Sequence, residues 1–167
     1  MNMYEGRPKL TIQRSWVENF LDIASIALLV MGTVSLISEW AAIPDTVPTH
    51  FNAAGDPDGW GSKSNLWILI VMGAVTWLLL TVLEKYPHIY NYFNLTEENV
   101  ERQYKNARMM INVMKNEILI FFVYMTWACS KVAKGDNEGL SMWVLPVFIV
   151  GITGSIAFFI VRSIKWK

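Results

Sequence analysis

His50, Asp56 and Asp58 are the side chains best suited to chemistry, because they fall together in one short stretch of the chain. The stretch runs from Pro44 to Lys63 and also holds Pro48, Asn52, Gly55, Pro57, Gly59 and Gly61. An imidazole and two carboxylates so close together could hold a metal or pass a proton. A calcium loop is a poor fit. Asp-x-Asp-Gly stands at Asp56–Gly59, but Ala54 occupies the first ligand position, Pro57 intrudes, and Asn65 stands where a bidentate Glu is needed. One histidine with two aspartates is not a zinc spacing either. Acid–base work by His50 with Asp56 or Asp58 would need a dry cleft, and no nucleophile or second histidine joins them. The sequence therefore predicts no catalytic residue, no resident metal and no cofactor. It leaves Pro48, His50, Asn52, Gly55, Asp56, Asp58, Gly59, Gly61 and Lys63 as residues that bind a ligand or organise the loop.

The loop has local geometry of its own. Val47 precedes a proline and is pushed towards extended angles. If residues 47–52 are extended, Val47, Thr49 and Phe51 share one face, with Pro48, His50 and Asn52 on the other. Asp56-Pro57-Asp58-Gly59 has the residue order of a type I turn. The expectation is an ordered cap tucked down by Phe51 and Trp60. Asp45 and Asp56 would cap backbone N–H groups and Lys63 would pair with a carboxylate or a lipid phosphate. His50 would be partly buried, pointing at Asp56 or Asp58.

Long apolar runs must position this loop. A helix needs about 20 residues to cross a hydrocarbon core of roughly 30 Å. Four runs approach or reach that length: Phe20–Trp40, Leu66–Leu83, Ile118–Ala133 and Trp143–Val161. None shows the polar face required of a helix on a small soluble core. The third is the weakest and could borrow length from the helix before it. That preceding segment, residues 96–116, reads as a cytoplasmic amphipathic helix with Thr96 as N-cap. Glu98–Arg102 and Glu101–Lys105 would pair at i,i+4. An apolar stripe of Val100, Tyr104, Ala107, Ile111, Met114 and Ile118 would pack on the bundle. Lys115, Asn116 and Glu117 then mark a boundary zone. The fold class is an all-α integral membrane protein: four transmembrane helices, an ordered extracytoplasmic loop at 44–65, and the cytoplasmic helix.

Composition agrees. Of 167 residues, 53% are hydrophobic and only 17% charged, where soluble domains carry about 25% charge. The chain is one membrane domain, 1–167, in which a two-span unit at 16–83 precedes a helical pair at 118–161. Formal net charge is zero, which excludes any drive towards nucleic acid. Lys and Arg are concentrated in the tails and the central loop, eleven against three elsewhere. By the positive-inside rule both termini and the central loop face the cytoplasm, His88 with them, and the Pro44–Lys63 loop faces out of the cell membrane. Cys129 is the single cysteine, so no intrachain disulfide can form.

Pro48-x-His50-Phe51-Asn52 followed by Gly55-x-Pro57-Asp58-Gly59-x-Gly61-Ser62-Lys63 resembles the signature of the DUF1648 family of small bacterial and archaeal membrane proteins. That domain is also similar to the N-terminal part of the SdpI-type immunity proteins, which protect cells from a secreted peptide toxin. The resemblance covers Trp16–Leu83. The molecular activity of the domain is undefined, so the resemblance implies a family of membrane proteins and no mechanism. The function expected is non-enzymatic binding or sensing of an extracellular molecule through loop 44–63, in the manner of an immunity or receptor component, with an extracellular peptide or another membrane protein as partner beside the lipid bilayer. The alternative is a membrane-embedded enzyme or small transporter subunit using His50 with Asp56 or Asp58.

Overall fold

The computed structural model describes residues 7–166. Its elements run α1 (Trp16–Glu39), β1 (Thr46–Phe51), β2 (Pro57–Ser62), α2 (Asn65–Leu83), a 3-10 turn (Pro87–Ile89), α3 (Val100–Ala133) and α4 (Val144–Lys165). All four α-helices are long and apolar enough to cross a membrane. α3 is central: α1, α2 and α4 pack against it, while α1 and α2 barely touch.

α1 begins four residues before the expected Phe20. Ser15 and Glu18 form a capping box, the Ser15 Oγ accepting from the Glu18 N–H and the Glu18 carboxylate accepting from the Ser15 N–H. Two orphan N–H groups are thereby satisfied and the first turn holds despite its polarity. α4 likewise runs past Val161 to Lys165, with Pro146 in its first turn as expected.

Residues 96–116 and 118–133 are not two segments. They form one 34-residue helix, α3, starting at Val100 and not at Thr96. Thr96 and Asn99 instead bond each other reciprocally ahead of it. The Glu101–Lys105 pair forms at 2.6 Å, whereas Arg102 lies over the Trp166 ring. The expected apolar stripe also needs correction. Val100 and Tyr104 are buried, but from Ala107 onward the stripe is only half-buried. The buried face carries Gln103, Asn106, Arg108, Asn112, Lys115 and Asn116. On a bundle with an apolar exterior, polar groups find partners only inside, so the amphipathic helix turns its polar side inward.

The loop is a β-hairpin, which adds a small antiparallel sheet to the helical fold. Thr46–Phe51 is extended as expected, but the predicted type I turn is absent because Pro57–Ser62 is strand. The chain reverses at Asn52–Asp56, where the Asn52 Oδ1 accepts from the Ala54 and Asp56 N–H groups and Gly55 adopts φ +92°. An Asx turn with a left-handed glycine reverses the chain before Asp56 can start a turn of its own. The ladder is irregular around Pro48–Phe51, so simple alternation fails: Val47 and Pro48 are both buried and Thr49 is exposed. Beneath the hairpin lies the apolar core of Leu36, Ile43, Val47, Leu66, Ile70 and Cys129.

Candidate functional site

His50 and Asp58 meet across the hairpin. The His50 Nδ1 lies 2.5 Å from the Asp58 Oδ1, as the sequence suggests, but the side chains are 73% and 47% exposed. The expected burial of His50 is therefore corrected. Alternation breaks at Pro48–His50, and the imidazole stays in solvent. Asp56 is not part of that pair; its Oδ2 accepts from the Asn52 Nδ2 at 3.2 Å. Lys63 pairs with Asp45 at 3.0 Å and lies over the Trp40 ring. Asp45 caps with its backbone, the carbonyl accepting from the Lys63 N–H, and Trp60 is exposed, not tucked. Among the described residues no three His, Cys, Asp or Glu side chains converge on a metal-sized point.

The three hairpin glycines serve close packing. A Cβ at Gly59 would lie 2.8 Å from the His50 Cβ, and one at Gly61 would lie 2.6 Å from the Asn65 Nδ2. At Gly55 it would meet the Leu140 carbonyl oxygen at 1.9 Å. That contact exists because the Leu140 N–H donates to the Gly55 carbonyl at 2.8 Å, fastening the hairpin tip to the α3–α4 loop. Between hairpin and helices a cleft of about 420 Å³ remains, with Thr49, His50, Phe51 and Asn52 on one side and Phe121, Met125, Leu145 and Pro146 on the other. Small-molecule sites have this size and this mix of apolar wall and few polar groups.

The opposite end of the bundle holds a second constellation, which the sequence reading did not assemble. The Lys115 Nζ is fully buried, 2.7 Å from the Glu84 Oε1 and 3.1 Å from the Asp22 Oδ2. It also donates to the Thr81 Oγ1 at 2.9 Å and stands over the Trp77 ring. Arg14 bonds Asp22 and approaches Glu84 at 3.6 Å. Arg108 grips Glu18 with its Nε at 2.7 Å and a second nitrogen at 3.1 Å, and donates to the carbonyls of Ile12 and Gln13. Asn112 and Asn116 both donate to the Asp22 Oδ1. Asn116 accepts from the Trp77 Nε1 and from Ser25. Three carboxylates thus face three cations. Burial pushes the Glu84 carboxyl above its ordinary range, with bonds from Lys115 and Asn112 pulling it back. A cavity of about 320 Å³, lined by Arg14, Thr81, Glu84 and Arg108 among others, opens beside the cluster.

A signal for this cluster is present in the chain. Arg108, Asn112, Lys115 and Asn116 recur at 4, 3 and 4 residues from each preceding turn partner, the spacing of one helix face, on a segment that continues into an apolar run.

Residues 26–74 match a family described as a domain of unknown function, DUF1648. The match supports the DUF1648 resemblance and says nothing of immunity. An uncharacterized protein of Archaeoglobus fulgidus is 28% identical over 145 residues, covering 78% of this chain and 78% of its own. No solved structure gives a significant match.

Proposed function

We propose that this is a multi-pass protein of the cell membrane whose hairpin faces outward, with both termini in the cytoplasm, and that it binds an extracytoplasmic molecule without catalysing a reaction on it. The observation that carries the reading is the 420 Å³ cleft between hairpin and helices. Its walls are aromatic and aliphatic, while His50 and Asn52 supply polar groups at one side. An apolar segment of a secreted peptide fits that chemistry, in the manner of a receptor or immunity component.

The test is complementation. A strain lacking the gene is challenged with peptides secreted by neighbouring cells, then given either the wild-type gene or Leu145→Trp, which fills the cleft. Restored response with wild type and none with Leu145→Trp is the expected result. Full complementation by the filled cleft refutes the reading. A small transporter subunit is the second reading. It is favoured by the buried Asp22–Lys115–Glu84 cluster and its adjoining cavity, since ionisable groups inside a helical bundle often line ion or substrate paths.

A further inference from the structure

We propose that a different cleft, between α3 and α4 at Glu117, binds a lipophilic amine: a molecule with an apolar body and one cationic nitrogen, entering from the lipid. The cleft measures about 530 Å³, within the range of small-molecule sites. Phe121 and Phe148 stack at 4.0 Å along it, Ile120 and Val147 add aliphatic wall, and Tyr124 and Trp143 stand towards the hairpin end.

One polar feature interrupts this surface. The Glu117 Oε1 accepts from the Ser155 Oγ at 2.6 Å, while its Oε2 is buried without a hydrogen-bond partner. Ser155 is eleven residues into α4, which at 1.5 Å per residue is about 17 Å, near the middle of a 30 Å hydrocarbon core. On α3, Glu117 directly follows Lys115 and Asn116, so its carboxyl lies on the inner side of the charged cluster. A carboxyl group at that depth with an empty acceptor is costly and calls for a donor. No Lys, Arg or His among the described residues lines the cleft, and the Lys115 ammonium is held by Asp22 and Glu84. An ammonium group on a ligand would supply both the charge and the missing N–H donor, and charge-assisted bonds of this kind are the strong ones. Its apolar body would lie along Phe121 and Phe148. This inference does not rest on the hairpin cleft.

The experiment uses the full chain in phosphatidylcholine nanodiscs, with thermal unfolding followed during titration of dodecylamine, dodecanol or dodecanoate. Wild-type protein is expected to be stabilised saturably by dodecylamine at a concentration at least tenfold lower than dodecanol requires, and not by dodecanoate. Glu117→Gln keeps an acceptor for Ser155 and should lose the preference for the amine. Gly151→Phe plugs the cleft, since a Cβ there meets nothing within 4 Å, and should abolish the response to amine and alcohol alike. Leu145→Trp, which fills only the hairpin cleft, should respond like wild type. Equal stabilisation of the wild type by amine and alcohol, or an amine preference that survives Glu117→Gln or Gly151→Phe, overturns the proposal.

Discussion

Both ends of this bundle carry close ion pairs, but they are built on opposite plans. At the hairpin end the core is apolar and the charges lie on the outside: His50 and Asp58 touch at 2.5 Å while largely exposed, above Val47 and Leu66. At the opposite end the charges are the core. Lys115 is fully enclosed by Asp22, Glu84 and Thr81, and apolar side chains such as Phe20 and Ile23 face outward. Distance alone would rank the His50–Asp58 contact above the Lys115–Glu84 contact at 2.7 Å. Solvent reverses that ranking, because an exposed pair gains little over hydration while a buried charge left alone has nowhere to go.

The largest test of the contrast is Lys115→Met. Removing it leaves Asp22 with Arg14 as its one cation and Glu84 buried with only Asn112 and the more distant Arg14 beside it. The expected loss is on the order of 3–5 kcal/mol, read as thermal unfolding in detergent. Adding Asp22→Asn and Glu84→Gln should recover a substantial part of it, because no buried carboxylate then lacks Lys115, and Arg14, which is partly exposed, can turn to water. No recovery would mean that Lys115 contributes mainly by packing. Gly55→Ala comes next. A Cβ would collide with the Leu140 carbonyl at a residue of φ +92°, so a loss of about 2 kcal/mol is expected, with faster amide exchange at Leu140. His50→Ala should cost under about 1 kcal/mol, as an exposed pair does; a protein that fails to fold would show the hairpin end to be less different than described. Sidedness changes no stability. In a Cys129→Ser background, a cysteine at Ser62 should react with an impermeant thiol reagent in intact cells, and one at exposed Glu98 should not. Reaction at Glu98 alone would invert the topology.

Sequence served the two ends unequally, for a physical reason. Apolar runs read directly as helices because length and hydropathy are local, and all four runs lie within the helices observed or at their caps. The His50–Asp58 contact was legible because both residues lie in one hairpin. The hairpin's turn was displaced because Asn52 and Gly55 compete for the reversal, and proline in a two-stranded sheet is no obstacle at β2's first residue. The charged end was missed because its members come from Glu18, Asp22, Glu84, Arg108 and Lys115, far apart in sequence. Each reads singly as a helix-end or boundary residue. Only the direction of α3's polar face unites them, and that direction depends on whether lipid or water lies outside.

The barely touching pair α1 and α2 has a consequence for biosynthesis. As the chain emerges, the first two helices deliver Glu18, Asp22 and Glu84 with Arg14 as the one cation of the cluster. Arg108 and Lys115 follow only with α3. Until then the early segment holds an acidic surplus that lipid will not accept, and it has little helix-to-helix contact to bury. Residues 26–74, the segment that matches the DUF1648 description, are therefore expected to settle only once the second half of the chain arrives. A fragment ending at Glu84 is expected to be cleared by proteolysis, and co-expression of residues 85–167 to rescue it.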